Sequence, residues 1–318
     1  MAPCEVCDSD CPFCSVAGRP LKSYLPFQKI KKLLHDFRTL GAKSLEITGG
    51  GNPMLYRDRE TGHDINSIID HASLLGYDIG LITNSNNLKR LKPISAARLK
   101  WVRISLIKLD EGKEPEDYSF DPVPIDKVGL SYIIYEGKDT PDELSRTNRV
   151  YTGTKVETIE KIAKLIQLNP ELKFVRLAGN CLSKTANVKV QEDWKDVINA
   201  VDKNNKFFLK EIYDNNNPFP NGCYVGLIRP YIAPNPKGGD YQVYICTSHV
   251  LNCRNYDLKY SLGSVDSIEA IWHIANARYK AGKSPYEIDN EFPGAWNDKC
   301  KHCYYYNNNK LLHTCLLY

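Results

Sequence analysis

No stretch of the sequence approaches the ~18 consecutive apolar residues that a membrane-spanning helix requires, so no such span is expected. The opening residues, MAPCEVCDSDCPFC, have no basic flank and no apolar run, which excludes a secretory signal there. Lysine and arginine never gather into a block, and the formal net charge is only +4. Phosphate-binding surfaces concentrate their cations, so nucleic acid is not expected as substrate or partner. There is no internal repeat, and the NNN and YYY runs are too short to count as low complexity. Cysteine is almost missing from the middle of the chain, where only Cys181 falls between Cys14 and Cys223. These absences leave a soluble, cytoplasmic protein as the expectation. With 318 residues, 42% hydrophobic and 25% charged, it can bury the core of one large domain, or of a large and a small one.

The cysteines that are present sit at the two ends. Eleven are too many for chance packing, and a reducing compartment argues against disulfides. Cys4, Cys7, Cys11 and Cys14 open the chain, while Cys223, Cys246, Cys253, Cys300, Cys303 and Cys315 lie in the last third. Two separate metal sites are the economical reading.

Between them the pattern alternates. LPFQKIKKLLHDFRTLGA carries Ile30, Leu33, Leu34 and Phe37 at helical spacing and stops at Gly41. KSLEIT reads as a strand running into Gly49-Gly50-Gly51. INSIIDHASLLG reads as a helix stopped by Gly76, YDIGLIT as a strand ending at Asn84, and WVRISLI as a strand from Trp101 to Ile107. VGLSYIIY, from Val128 to Tyr135, is another strand. VETIEKIAKLIQLN is an amphipathic helix and KFVRLAG the strand after it. Six strands are expected up to Gly179, or seven if KFFLKEIY is one. The alternation means βαβ units and a parallel sheet, curved, with helices on its outer face. Active groups in such sheets lie at the carboxyl ends of strands, where the triple glycine, Asn84 and Ser105 fall. Residues 108–127 break the rhythm with three prolines and no apolar period; they read as a solvated acidic excursion, or else a functional loop or lid. Near 213, YDNNNPFPNG reads as a linker. Beyond it, LIRPYI and YQVYIC suggest a hairpin, SIEAIWHIANARY a helix, and CKHCYYYNNNKLLHTC an irregular tail.

The opening cysteines admit three readings. Cys4-x2-Cys7 and Cys11-x2-Cys14 as paired zinc knuckles would have only three residues between the pairs, short of the usual dozen or more. All four could hold an ordinary electron-transfer iron–sulfur cluster. Alternatively Cys7, Cys11 and Cys14 bind three irons of a four-iron cluster and leave the fourth open, as a catalytic metal requires.

CDSDCPFC has the Cys-x3-Cys-x2-Cys spacing, with aromatic Phe13 before its last cysteine, and a train of βα units follows. In this the sequence resembles the radical S-adenosylmethionine (SAM) enzymes. The resemblance implies a partial (β/α)6 barrel and a SAM-binding [4Fe-4S] cluster on Cys7, Cys11 and Cys14. ITGGGNP is similar to the glycine-rich turn that embraces the amino group of SAM, here Gly49, Gly50, Gly51 and Asn52. A glutamate more often stands where Asn52 is, so an acceptor oxygen is kept and a charge is lost. LITNSN and WVRISL are similar to the next two strand ends, with Asn84 and Ser105 in the matching places as cofactor-binding residues. Cys4 matches nothing in the pattern.

The C-terminal third resembles the auxiliary-cluster extensions known as SPASM and, in shorter form, twitch. Cys223, Cys246, Cys300 and Cys303 would enclose a second [4Fe-4S] cluster; a cluster on Cys300, Cys303 and Cys315 competes with this, as does a structural zinc on the first four. The implied organisation is a radical SAM core over 1–213 and an auxiliary domain of hairpin plus helix over 214–318. The implied activity is reductive cleavage of SAM to a 5′-deoxyadenosyl radical that removes hydrogen from a small-molecule or peptide substrate. A reductant such as flavodoxin or ferredoxin would serve as partner. Only six residues precede Cys7, so no peptide-binding module is expected ahead of it. The alternative from a different class is a cysteine-rich, zinc-stabilised binding protein without catalysis.

Overall fold

The computed structural model describes residues 1–14, 16, 21–137, 150–180, 186–210, 225–234, 240–244, 246, 261–281, 311–312 and 314. The chain divides into two compact units. One comprises Ala2–Phe27 and Lys43–Ile212; the other comprises Met1, Gln28–Ala42 and Tyr213–Tyr318.

In chain order the elements begin with α1 (Phe27–Thr39), β1 (Ser44–Ile47), α2 (Ile65–Leu74), β2 (Asp78–Thr83), α3 (Pro93–Arg98) and β3 (Leu99–Ser105). They continue with α4 (Ile107–Asp110), β4 (Val128–Ile134), α5 (Val156–Leu168), β5 (Val175–Gly179), α6 (Ala186–Val201) and β6 (Phe207–Leu209). The helices follow the apolar periods. Ile65, Ile68, Ile69 and Ala72 are all buried on one stripe of α2, and each isoleucine so placed is worth about 1.5–3 kcal/mol. Asp64 caps that helix by accepting from the Asn66 and Ser67 amides, and Gly76 ends it at φ +77, a conformation that needs no Cβ.

Strands β1 to β6 form one sheet in sequential order, every pair parallel. Right-handed crossovers that always advance in the same direction put every connecting helix on the same face. A doubly wound sheet reverses its order midway, and this one does not. β1 and β6 are the two edges, so the sheet is an open part of a barrel rather than a closed one.

Three expectations need correcting. Five strands, not six, precede the end of β5 at Gly179, and KFFLKEIY supplies the sixth. The WVRISLI strand starts two residues early, at Leu99, and stops at Ser105, because Leu106 leaves the extended region (φ −87, ψ 17) and Ile107 opens α4. Residues 108–127 are not a solvated excursion. Leu109, Tyr118, Phe120 and Val123 are buried there, and short 3-10 turns occupy Pro115–Asp117 and Ile125–Lys127.

The second unit contains α1, then α7 (Val225–Ile228) where a strand beginning at Leu227 was expected. A three-stranded antiparallel sheet follows, of β7 (Tyr231–Pro234), β8 (Tyr241–Tyr244) and β9 (Ser261–Ser264), and then α8 (Ile268–Lys280). The hairpin and helix thus occur, with SLGS as an added strand. Within this unit Lys29 bridges Asp240 at 2.5 Å and Asp266 at 3.3 Å, and the Phe37 and Trp272 rings meet edge to face at 5.7 Å. The expected linker lies outside the described residues.

Candidate cofactor site

The chain leading into the cysteine loop is stitched down on two sides. Glu5 N donates to Ser23 O and Leu25 N to Pro3 O; opposite, Gly51 N donates to Cys4 O at 3.2 Å and Asn52 N to Val6 O at 2.7 Å. This approach is the reason for glycine. A Cβ on Gly50 would lie 1.7 Å from the buried Glu5 carboxylate, one on Gly51 2.1 Å from Val6 O, and one on Gly49 1.6 Å from Gly51 O. The triple glycine therefore packs against the segment that carries the cysteines. Cys4 belongs to this seam: it is 1% exposed and its Sγ donates to Asn52 O at 3.5 Å, apart from the other three thiols.

Cys7, Cys11 and Cys14 are partly exposed and in no disulfide, on a loop that turns back through Cys14 N to Cys11 O. Phe13 packs on the Tyr135 ring, 5.1 Å between centroids. Asn84, just past the end of β2, donates from Nδ2 to Ser9 Oγ at 2.8 Å, and lies 3.5 Å from Asp8 Oδ1 and 3.7 Å from Cys7 Sγ. Ser105 ends β3 opposite Ser131 of β4, and among the described residues no hydrogen bond ties it to the cysteine loop. The sheet's carboxyl edge thus brings together Cys7, Cys11, Cys14, Phe13, the glycine turn, Asn52 and Asn84.

Asn52 is used up internally. It is 1% exposed; its Oδ1 accepts from Thr83 Oγ1 at 2.7 Å and from Met54 N at 3.1 Å, and its Nδ2 donates to Ser85 Oγ at 2.9 Å and Asp8 Oδ1 at 3.1 Å. Both lone pairs and both hydrogens of the amide are engaged.

Asp8, inside the cysteine motif, was passed over in reading the sequence. Besides Asn52 it faces Lys108, whose Nζ lies 3.1 Å from Asp8 Oδ2, 3.3 Å from Asp8 O and 2.9 Å from Glu111 Oε2. The Lys108 and Glu111 side chains are 9% and 2% exposed, that of Asp8 44%. Burial pushes the Asp8 carboxyl up, but the Asn52 amide and the Lys108 ammonium outweigh it and hold the group below its ordinary 3.8. Tyr151 Oη donates to the other Glu111 oxygen at 3.0 Å.

Asp110, beside Glu111, sits in a cage of hydroxyls. Tyr132 donates to it at 2.9 Å, Tyr135 at 3.2 Å and Thr158 at 3.3 Å. Burial nevertheless pushes its carboxyl up to about 6 against these donors, with the Glu111 charge adding to the rise. Tyr135 joins this cage to Phe13 and so to the cysteine loop. Only the placement of Asp8 between two cysteines marked any of these groups in the sequence; the rest meet through the fold.

The donor set suits an iron–sulfur cluster and SAM in two respects. Three thiols on one loop can each take a different iron. Among the described residues no three His, Cys, Asp or Glu side chains are grouped closely enough to hold a single metal ion. Asn84 Oδ1 is buried with no hydrogen-bond partner among the described residues, a state costing about 1–3 kcal/mol unless a donor is supplied. SAM carries such donors in its ammonium and hydroxyls. Of the proposed second set, only Cys246 lies within the described residues, just beyond β8 and partly exposed; Cys223, Cys300 and Cys303 lie outside them. No helix among the described residues is long and apolar enough to cross a membrane.

Residues 1–115 match the family model of the Radical SAM superfamily. Among solved structures the chain is similar to Streptococcus suis SuiB bound to the precursor peptide SuiA, at 17% identity and TM-score 0.49, covering 80% of this chain and 60% of that one. It is also similar to Streptococcus suis SuiB alone, at 15% identity and TM-score 0.45, covering 85% and 66%. The chain therefore spans about three fifths to two thirds of the length of the proteins it matches.

Proposed function

The chain belongs to the radical SAM superfamily through residues 1–115, and from that premise we propose that it is an enzyme cleaving SAM reductively to remove hydrogen from a small-molecule or peptide substrate. The observation that carries this reading is the cysteine loop itself: Cys7, Cys11 and Cys14 on one anchored turn beside the Asn84 amide, at the carboxyl edge of a parallel sheet. When bound there, a [4Fe-4S] cluster with one open iron supplies the electron that breaks SAM into methionine and a 5′-deoxyadenosyl radical. The protein's own residues do the holding. Asn84 offers an unused buried acceptor and Phe13 braces the last cysteine from the Tyr135 side. The electron donor in this reading is a small carrier such as flavodoxin or ferredoxin. We assign residues 1–213 to the core. Residues 214–318 become an auxiliary domain in which Cys223, Cys246, Cys300 and Cys303 hold a second cluster.

Anaerobic purification and iron–sulfide reconstitution test this directly. The expected product absorbs broadly near ~400 nm, holds about seven to eight irons per chain, and releases 5′-deoxyadenosine from SAM with reductant. Cys11→Ala is expected to abolish that release while the chain still folds. A colourless, zinc-loaded protein, or unchanged 5′-deoxyadenosine from the variant, would refute the reading. About four irons would remove the second cluster alone.

A further inference from the structure

We propose that Asp8 supplies the negative charge that pairs with the ammonium of SAM, in place of a carboxylate at position 52. This deepens the cofactor reading above and rests on it. The glycine turn ends in a neutral residue whose amide has no capacity left. Asn52 is 1% exposed and spends its oxygen on Thr83 and Met54 N and its nitrogen on Ser85 and Asp8. It cannot accept from a ligand without surrendering an internal bond.

One hydrogen bond further out stands a carboxylate that can. Asp8 Oδ1 is 3.1 Å from Asn52 Nδ2, and the side chain is 44% exposed where that of Asn52 is sealed. It lies beside the thiolate ligands: Asn84 Nδ2 lies within reach of both Asp8 Oδ1 and Cys7 Sγ. Lys108 does not cancel its charge, because that ammonium is divided between Asp8 and the buried Glu111. Two carboxylates thus share that one ammonium. A cationic ligand is attracted there and an anionic one is not. Asn52 and Asp8 thus form an exchanged pair, amide where a carboxylate is usual and carboxylate one bond away, with the Asn52 amide orienting Asp8.

The pair can be exchanged back almost isosterically. The full-length protein is reconstituted anaerobically as wild type, Asp8→Asn, Asn52→Asp and the double variant. Iron per chain, SAM affinity by equilibrium dialysis, and the change that SAM causes in the EPR spectrum of the reduced cluster are measured for each. Asp8→Asn is expected to keep its iron and lose about tenfold or more in SAM affinity, the range for a charge-assisted hydrogen bond. Asn52→Asp alone sets two carboxylates in contact and is expected to weaken binding too. The double variant returns the charge only to position 52, which is 1% exposed, and is expected to stay within about threefold of Asp8→Asn, with the EPR change still missing. Asp8→Asn binding within twofold of wild type overturns the proposal. So does full recovery in the double variant, which would show that the charge need not face the ligand, or loss of more than half the iron in Asp8→Asn, which would make the residue a brace for the loop. Wild-type protein that holds iron but binds no SAM refutes the cofactor reading itself, and this proposal with it.

Discussion

Asp110 offers the most quantitative test of the site's electrostatics. Its carboxyl, at the end of α4, has three hydroxyls pointing at it, yet burial dominates and moves its pKa from 3.8 to about 6. The unfolded chain gives up this proton near 3.8 and the folded one near 6, so between those values the native state binds the extra proton. The contribution of this group to stability is therefore full below 3.8 and is lost as pH rises through about 6. The interval corresponds to on the order of 3 kcal/mol, an upper figure since the side chain is not wholly buried. Asp110→Asn keeps a carbonyl for the hydroxyls and never ionises. One hydroxyl must turn to accept from the new amide, which adds an offset independent of pH. Urea unfolding of the reduced full-length wild type and variant, from pH 4.5 to 8, isolates this group in the difference between the two curves. The variant is expected to gain on wild type as pH rises, by up to ~2 kcal/mol over this range, and to level off above neutrality. A difference that is flat to within about 0.5 kcal/mol, or that falls with pH, would refute the burial argument.

Two further predictions address the loop's supports. Lys108→Met strips the Lys108 ammonium from Glu111, whose side chain is 2% exposed, and is expected to cost about 3–5 kcal/mol in urea unfolding; a loss below about 1 kcal/mol would show that water already reaches the pair. Gly51→Ala forces a methyl to within 2.1 Å of Val6 O, so the seam to residues 4–6 must open. Iron bound after reconstitution is expected to fall to less than half of wild type, and full retention would mean that the turn does not hold the loop.

Much of the fold could be read from periodicity. The stripes of α2 and α5 bury the expected isoleucines and leucines, and apolar runs locate the parallel strands because both faces of such a sheet are covered. The cysteine spacing marked the loop because Cys7, Cys11 and Cys14 lie within eight residues of sequence. Residues 107–127 escaped because Leu109, Tyr118, Phe120 and Val123 are buried by an irregular path, which has no repeat to detect. The polar supports escaped for a related reason. Asn52, Asn84 and Lys108 meet Asp8 and Ser9 only through the sheet, and a side chain that finishes one hydrogen bond looks locally like any solvated polar residue. Near the N-terminus, Cys4 and Tyr24 form only an isolated antiparallel bridge.

The spans of those supports bear on synthesis. Asp8 waits 44 residues for Asn52, Ser9 waits 75 for Asn84, and Asp8 waits 100 for Lys108. At translation rates of about 5–20 residues per second, the three loop thiols emerge many seconds before their braces exist. Until then the loop lacks these hydrogen bonds, and a thiol outside a folded site is open to peroxide. The polar braces of this loop are therefore completed only once the chain has passed residue 108.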